Sequence, residues 1–257
     1  MQTTYERKGD RFLLSGVKYL ISNAGIADYV VTFAYPKTGG RISAFILDIK
    51  QPGCVREDLV AKMGMPTANT GMFELTDFET PLDTMLGTEG EGFRIAMGTL
   101  VSGRLSVAAG CLGVIEDCLI ESLRYAKERS QHGKAIGKHQ LVQEHLAMIE
   151  MARLASDALV MKAAEAKDAL AGDPNNAELK AKADLLAAQA KLYASNAAWE
   201  AADRAVQVFG GRGWSTLYRP GRHLQDVRVC RIYEGTDEIL KLKIAAALLG
   251  KEYEAFK

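Results

Sequence analysis

GFRIAMGTLVSGRLSVAAGCLGVIEDCLIESLRY, residues 92–125, is the stretch whose period decides the fold class. Phe93, Met97, Leu100, Val107, Cys111, Ile115, Cys118 and Tyr125 recur at steps of three, four or their sums. A period of 3.6 residues brings such positions onto one face, so the spacing predicts a long helix with an apolar stripe. The same reading predicts a second helix over residues 139–171, with Val142, Leu146 and Ile149 inward. A third is expected to open at Asp173-Pro174, an N-cap followed by proline at the first helical position, and along it Leu179, Ala183, Leu186, Ala190, Tyr193 and Ala197 repeat at alternating steps of four and three, the alanines permitting close approach of a neighbour. A fourth covers residues 236–249, with Asp237 and Glu238 complementing the dipole of its first turn. Long helices with short connections pack as an antiparallel four-helix bundle.

Upstream the period changes. Between residues 11 and 82 the apolar residues come in short β-branched and aromatic runs separated by turn residues, which predicts antiparallel strands. Residues 11–14 and 17–21 flank Ser15-Gly16 and read as a tight hairpin, residues 28–35 and 41–49 flank Pro36–Gly40, and residues 71–78 add a further strand. Strand-like sequence begins almost at Met1, so absent opening strands would expose an unpaired edge. The expected fold class is α+β multidomain and mostly α: a small partial antiparallel β-domain over residues 1–83, then a C-terminal antiparallel four-helix bundle over residues 84–257.

Composition removes other classes. The 257 residues are 48% apolar and 25% charged, as in ordinary globular proteins, and 32 basic residues balance 32 acidic ones. Without net charge there is no long-range field for a nonspecific nucleic-acid binder, so no nucleic-acid partner is expected. Cys54, Cys111, Cys118 and Cys230 show no C-x-x-C spacing and read as small core residues of a reducing compartment. The N-terminus lacks the apolar segment of a signal peptide, and no run approaches about 18 uninterrupted apolar residues. A cytoplasmic protein without membrane or metal partners is expected, since His132 and His139 lack the i, i+4 spacing of a helical zinc pair.

Several residues do not fit a plain bundle. Arg104 stands four after Leu100 and three before Val107, where the stripe calls for an apolar residue. It is either a snorkelling arginine at the bundle edge or a guanidinium aimed at a ligand along the helices. RSQHGKAIGKHQ, residues 129–140, reads as a solvated connection or as a phosphate clamp. QVFGGRGW, residues 207–214, has three glycines where a helix stop needs one or two, which suggests close backbone approach to something flat. GTEGEG, residues 87–92, reads as a linker. In RIYEGTDEI, residues 231–239, Glu234 is either a carboxylate stabilising the mouth of the last helix or a general base whose pKa rises on desolvation.

In this order the segments resemble the acyl-CoA dehydrogenase family over nearly the whole chain. VKYLISNA, residues 17–24, resembles the strand along the flavin, with Leu20 at a tryptophan position and Ser22 at the threonine that hydrogen-bonds the isoalloxazine. VSGRLSVAAG resembles the helix whose arginine contacts substrate, here Arg104. RSQHGK resembles the loop that crosses to a neighbouring subunit's FAD pyrophosphate, which points to Arg129 and Gln131. QVFGGRG resembles the glycine segment at the adenosine end, which points to Gln207, Gly210 and Gly211. IYEGT matches the segment of the catalytic base, Glu234, with Tyr233 and Gly235 beside the substrate and Thr236 and Glu238 at positions touching FAD.

The resemblance implies α,β-dehydrogenation of an acyl-CoA thioester to a trans-2-enoyl-CoA. Glu234 would remove the α-proton, flavin N5 would accept the β-hydride, and the Glu234 N–H with a ribityl hydroxyl would hold the thioester carbonyl. It further implies a homodimer or homotetramer, with electron-transferring flavoprotein as acceptor. In some branches the base is the residue before the helix arginine; here that residue is Gly103, which cannot accept a proton, so Glu234 is selected. Val101 replaces the usual aspartate three residues before the arginine, and Ala246 lies near the position of a last-helix arginine. The family's N-terminal helical domain and flavin-covering loop have no counterpart in this sequence, so a fragment or truncated form is expected. A catalytically silent bundle kept for oligomerisation or acyl-CoA binding is the alternative, with an FAD-bound oxidase or DNA-damage-response relative behind it. Acyl chain length is not legible from these residues.

Overall fold

RFLLSGVKYLIS is one continuous strand, β2 (Arg11–Ser22), in the computed structural model, which describes residues 2–253 and Ala255. The hairpin expected at Ser15-Gly16 is therefore corrected to a β-bulge: the register against the facing strand shifts between Leu14 and Gly16. Gly16 has φ +137°, and a Cβ there would lie 2.6 Å from the Thr3 Cα, so only glycine lets the neighbouring backbone approach. A glycine between two apolar runs gives the same signal for a turn and for a bulge.

Around β2 lie β1 (Thr4–Lys8), β3 (Tyr29–Pro36), β4 (Ser43–Asp48), β5 (Cys54–Asp58), β6 (Thr70–Pro81) and β7 (Met85–Leu86). They form one seven-stranded sheet in the order β5-β6-β2-β1-β3-β4-β7, antiparallel throughout except for the parallel β1–β3 pair. β1 is central and the edges are β5 and β7, so the unpaired edge falls elsewhere than at the opening strand. One face of this sheet packs Tyr5, Phe12 and Phe45 edge to face, with ring centroids 4.9–5.6 Å apart. The Tyr5 hydroxyl is hydrogen-bonded to Ser43 Oγ at 3.0 Å and Glu89 Oε1 at 2.6 Å, and burial followed by the Glu89 contact pushes its pKa up to about 12. This unit runs to Thr99, and a second compact unit begins at Leu100.

The second unit is helical: α1 (Gly92–Glu128) from Leu100 onward, α2 (Gln140–Gly172), α3 (Ala177–Phe209), α4 (Arg219–Val227) and α5 (Asp237–Leu249). Ala108, Cys111, Ile115 and Cys118 of α1 pack against Ile149, Val160 and Ala163 of α2 and the buried alanines of α3 between Ala190 and Ala205. The small alanine side chains allow these helices to approach closely. By length and composition α1 could cross a membrane, a test that core helices of bundles also pass.

Three sequence expectations change here. Phe93 and Met97, assigned to the core face of α1, are 62% and 40% exposed, so the buried stripe starts at Val101. The third helix opens later than Asp173-Pro174: Asn176 is its N-cap, and its side chain accepts the Glu178 and Leu179 N–H groups at 3.1 Å each. Asp173 instead closes α2, its N–H bonded to the Leu170 carbonyl. Cys54 and Cys230 are half-buried free thiols rather than core residues; Cys111 and Cys118 are buried.

Candidate active site

α5 is capped by Thr236, whose side-chain oxygen accepts the Ile239 N–H. This removes the simplest structural reason for Glu234, which does not cap the helix. Glu234 instead has φ +56° and is followed by Gly235 at φ +99°. A left-handed backbone at a glutamate costs of order 1 kcal/mol and persists only where surroundings fix it.

Those surroundings are cationic. The Glu234 carbonyl accepts Arg104 Nε at 3.1 Å, and the Gly235 carbonyl accepts Lys191 Nζ at 2.7 Å. Arg104 is 5% exposed, and its Nη1 pairs with Asp184 Oδ1 at 2.9 Å, while Lys243 binds the other oxygen of Asp184. Lys191 is fully buried, and burial above all holds its pKa below the usual lysine value. Asp237, beside the same loop, takes Arg231 Nε at 2.8 Å and Asn196 Nδ2 at 3.0 Å. Two buried cations thus hold the consecutive backbone carbonyls of Glu234 and Gly235.

The side chain of Glu234 is placed differently. Its Oε2 is buried without a hydrogen-bond partner among the described residues. The carboxylate rests on the α1 backbone, where a Cβ on Gly103 would lie 2.5 Å from Oε2 and 2.7 Å from Oε1. Glycine before the arginine is therefore a steric condition for this carboxylate position.

The profile described as "Acyl-CoA dehydrogenase, C-terminal domain" matches residues 90–249, and "Acyl-CoA dehydrogenase, middle domain" matches residues 1–78. The chain belongs to the acyl-CoA dehydrogenase family. It is 39% identical over 253 residues to a short-chain specific acyl-CoA dehydrogenase of Megasphaera elsdenii, covering 96% of this chain and 63% of that relative. An acyl-CoA dehydrogenase of Bacillus anthracis complexed with FAD superposes with a TM-score of 0.91 at 28% identity, over 98% of this chain and 45% of that one. A chain in a structure described as an electron transferring flavoprotein of Acidaminococcus fermentans gives 0.87 at 38% identity, over 96% of this chain and 63% of that one. The chain therefore spans 63% or less of the length of each of these proteins.

Other residues that the family resemblance singles out fall into separate groups. Arg129 and Gln131 lie on a hairpin, β8 (Ser130–Gln131) and β9 (Lys134–Ala135), turned by His132 at φ +51° and Gly133 at φ +74°. Gln207, Gly210 and Gly211 end α3. The two groups share one end of the bundle, where Tyr125 stacks on Phe209 at 4.2 Å and Ile136 packs with Val208. Gly210 has φ +59° and ψ −135°, which only glycine adopts readily, and Cβ atoms on Gly210 or Gly211 would meet nothing within 4 Å. Gly213 is the glycine in close approach, its Cβ position 2.3 Å from the Val206 carbonyl oxygen. Glu238 is exposed in the first turn of α5, its pKa lowered by its own backbone N–H and by Thr236. Tyr233 neighbours Glu234, with burial pushing its hydroxyl pKa up.

In the first unit, Leu20 has φ +59° at a second register shift of β2, between Tyr19 and Ile21, and is 59% exposed; Ser22 is exposed. The shift re-aims side chains at the end of the strand. Sequence reading missed Lys191, Asp184 and Asn196, and gave Asp237 only a helix-dipole role. Lys191 carried the signal that exposed Arg104: it stands four after Ala187 and three before Ala194, on the buried face of α3.

Proposed function

We propose that this chain forms the middle and C-terminal parts of an FAD-dependent acyl-CoA dehydrogenase, with Glu234 as the base that removes the substrate α-proton. The observation that carries this reading is the Glu234 carboxylate, seated on the Gly103 backbone with Oε2 buried and unpartnered. A thioester whose α-carbon approached that oxygen would supply the missing partner, and the proton would pass to it. Arg104 and Lys191 donate hydrogen bonds to the Glu234 and Gly235 carbonyls and hold the loop in its left-handed turn, so the base needs little reorganisation at the moment of transfer. Arg104 was expected to touch substrate; its guanidinium is engaged by Glu234 and Asp184, which favours a positioning role.

FAD, when bound, supplies the hydride acceptor. The exposed Arg129 on its hairpin and the open Gly210–Gly211 turn at the same end of the bundle fit an anionic dinucleotide: a cation for phosphate and backbone with room beside it. Ser22 offers a hydroxyl and Leu20 an apolar face, which suits a flavin ring. We further propose a homodimer or homotetramer in the cytoplasm, with electron-transferring flavoprotein as electron acceptor.

Glu234→Gln in the FAD-loaded enzyme keeps the shape and removes the basicity. Flavin content is expected to persist while bleaching of the flavin by acyl-CoA slows by at least about a hundredfold, as for loss of a general base. Bleaching at the wild-type rate would remove Glu234 from the reaction.

A further inference from the structure

Three helices meet at one carboxylate behind the Glu234 loop. Asp184, on α3, accepts Nη1 of Arg104, on α1, at 2.9 Å, and its other oxygen takes the ammonium of Lys243, on α5. The same guanidinium donates its Nε to the Glu234 carbonyl at 3.1 Å, so a single arginine joins Asp184 to the loop that carries the carboxylate. Val101, one turn before Arg104, packs with Ala183 and Ala187 on α3 and seats Asp184 against the guanidinium. We propose that Asp184 is a positioning residue for proton abstraction that acts through Arg104: its charge balances the guanidinium beside Glu234, so that Glu234 keeps its strength as a base.

A count of charges shows why one carboxylate matters here. The cations bonded into the loop and its clamp are Arg104 on α1, Lys191 on α3, Arg231 in the preceding turn and Lys243 on α5. The anions facing them, apart from Glu234, are Asp184 on α3 and Asp237 on α5. Tyr233 and Cys230, 3.3 Å apart, are the titratable neighbours on the turn itself. Asp237 is taken up by Arg231 and Asn196, which leaves Asp184 as the counter-charge of the arginine on the Glu234 carbonyl.

A guanidinium shielded from water and without a counter-charge favours the ionised form of a nearby carboxylate, and a carboxylate stabilised in that form is a weaker base. Asp184 opposes this effect, and Lys243, which binds Asp184, adds to it. The two residues therefore act on Glu234 with opposite signs. Removing the Asp184 charge stabilises the Glu234 anion, and removing the Lys243 charge destabilises it. A merely structural role gives no such opposition, because loosening the clamp from either end disturbs the loop in the same way.

The experiment follows Glu234 directly. The chain is labelled with [δ-13C]glutamate and its carboxyl resonances are recorded by NMR across the acid and neutral range, the signal lost in Glu234→Gln being that of Glu234. Asp184→Asn keeps the shape and a hydrogen-bond acceptor for Arg104, and its Glu234 midpoint is expected at least about half a pH unit below wild type. Lys243→Met is expected to raise the midpoint by a similar amount, and Asp184→Ser and Lys243→Gln to repeat the two directions. Unmoved midpoints, or shifts of the same sign on both sides of the pair, would overturn the proposal. In the FAD-loaded enzyme the acid limb of flavin reduction by acyl-CoA is expected to move with the midpoints, downward in Asp184→Asn and upward in Lys243→Met; an acid limb that stays while the midpoints move would also overturn it. The proposal rests on the reading of Glu234 as the base, but the NMR midpoints are taken without flavin or substrate, so their failure is distinct from a failure of that reading, which Glu234→Gln detects in flavin bleaching.

Discussion

Gly103→Ala separates stability from chemistry at the site. In wild type the position that an alanine Cβ would occupy is 2.5 Å from Glu234 Oε2, and ordinary contact begins at 3.4 Å, so the carboxylate must retreat by about 0.9 Å. The backbone of Gly103 is helical within α1, and alanine there is favoured over glycine by about 0.5–1 kcal/mol. Because Glu234 is only partly buried, it can swing outward and spare the fold. The expected melt is therefore unchanged or higher by about 1–4 °C. Displacing a catalytic group by that distance costs about a hundredfold in rate, so flavin reduction by acyl-CoA in the FAD-loaded variant should fall by that order. Scanning calorimetry and stopped-flow absorbance give the two readouts. A raised Tm with flavin reduction within about threefold of wild type would refute the reasoning, because the carboxylate would then not act from the surface of Gly103.

Lys191→Met leaves the Gly235 carbonyl without its buried donor, which should destabilise the protein by about 1–3 kcal/mol in a urea titration; unchanged stability would mean that the loop does not depend on this lysine. In the first unit, Lys18 donates to the Phe33 carbonyl at 2.5 Å and burial lowers its pKa from 10.5 to about 8. A lysine with a depressed folded pKa binds its proton more tightly when unfolded, so stability rises with pH between about 8 and 10.5 and is lost as pH falls through that window. The full shift corresponds to about 3 kcal/mol, which partial exposure reduces to about 1 kcal/mol. Wild type should gain that much relative to Lys18→Met between these two pH values in urea titrations, and parallel curves for the two proteins would contradict it.

Where one element repeats a clean period, the sequence was legible. The stripe through Val107, Cys111, Ile115 and Cys118 gave α1 its face, and Arg104 stood out because it broke that stripe. Charge hid other elements. β1, Thr-Tyr-Glu-Arg-Lys, and β5, Cys-Val-Arg-Glu-Asp, carry too few apolar residues to show alternation, and α4, Arg-Pro-Gly-Arg-His-Leu-Gln-Asp-Val, opens with proline and glycine. At Asp173-Pro174 two start signals competed within four residues, and Asn176 won because its side chain reaches two free N–H groups. The site was half legible. Glu234 is singled out by its motif, but the clamp on its loop depends on Lys191 and Asp184, which are far from it in sequence and lie on another helix. The meeting of Gly103 with the Glu234 carboxylate is a tertiary contact that no local pattern encodes.

That meeting point also allows the most direct test of the claim that a carboxylate at this place is the base. Glu234→Gly removes it, and Gly103→Glu added to the same chain returns a carboxylate from the α1 side, starting about where the native oxygens lie. With equal FAD content, the double variant is expected to reduce its flavin with acyl-CoA at least about tenfold faster than Glu234→Gly alone, part of the general-base contribution being recovered. A double variant no faster than Glu234→Gly, with the same FAD content and an intact fold by circular dichroism, would contradict the assignment of proton abstraction to this place in the bundle.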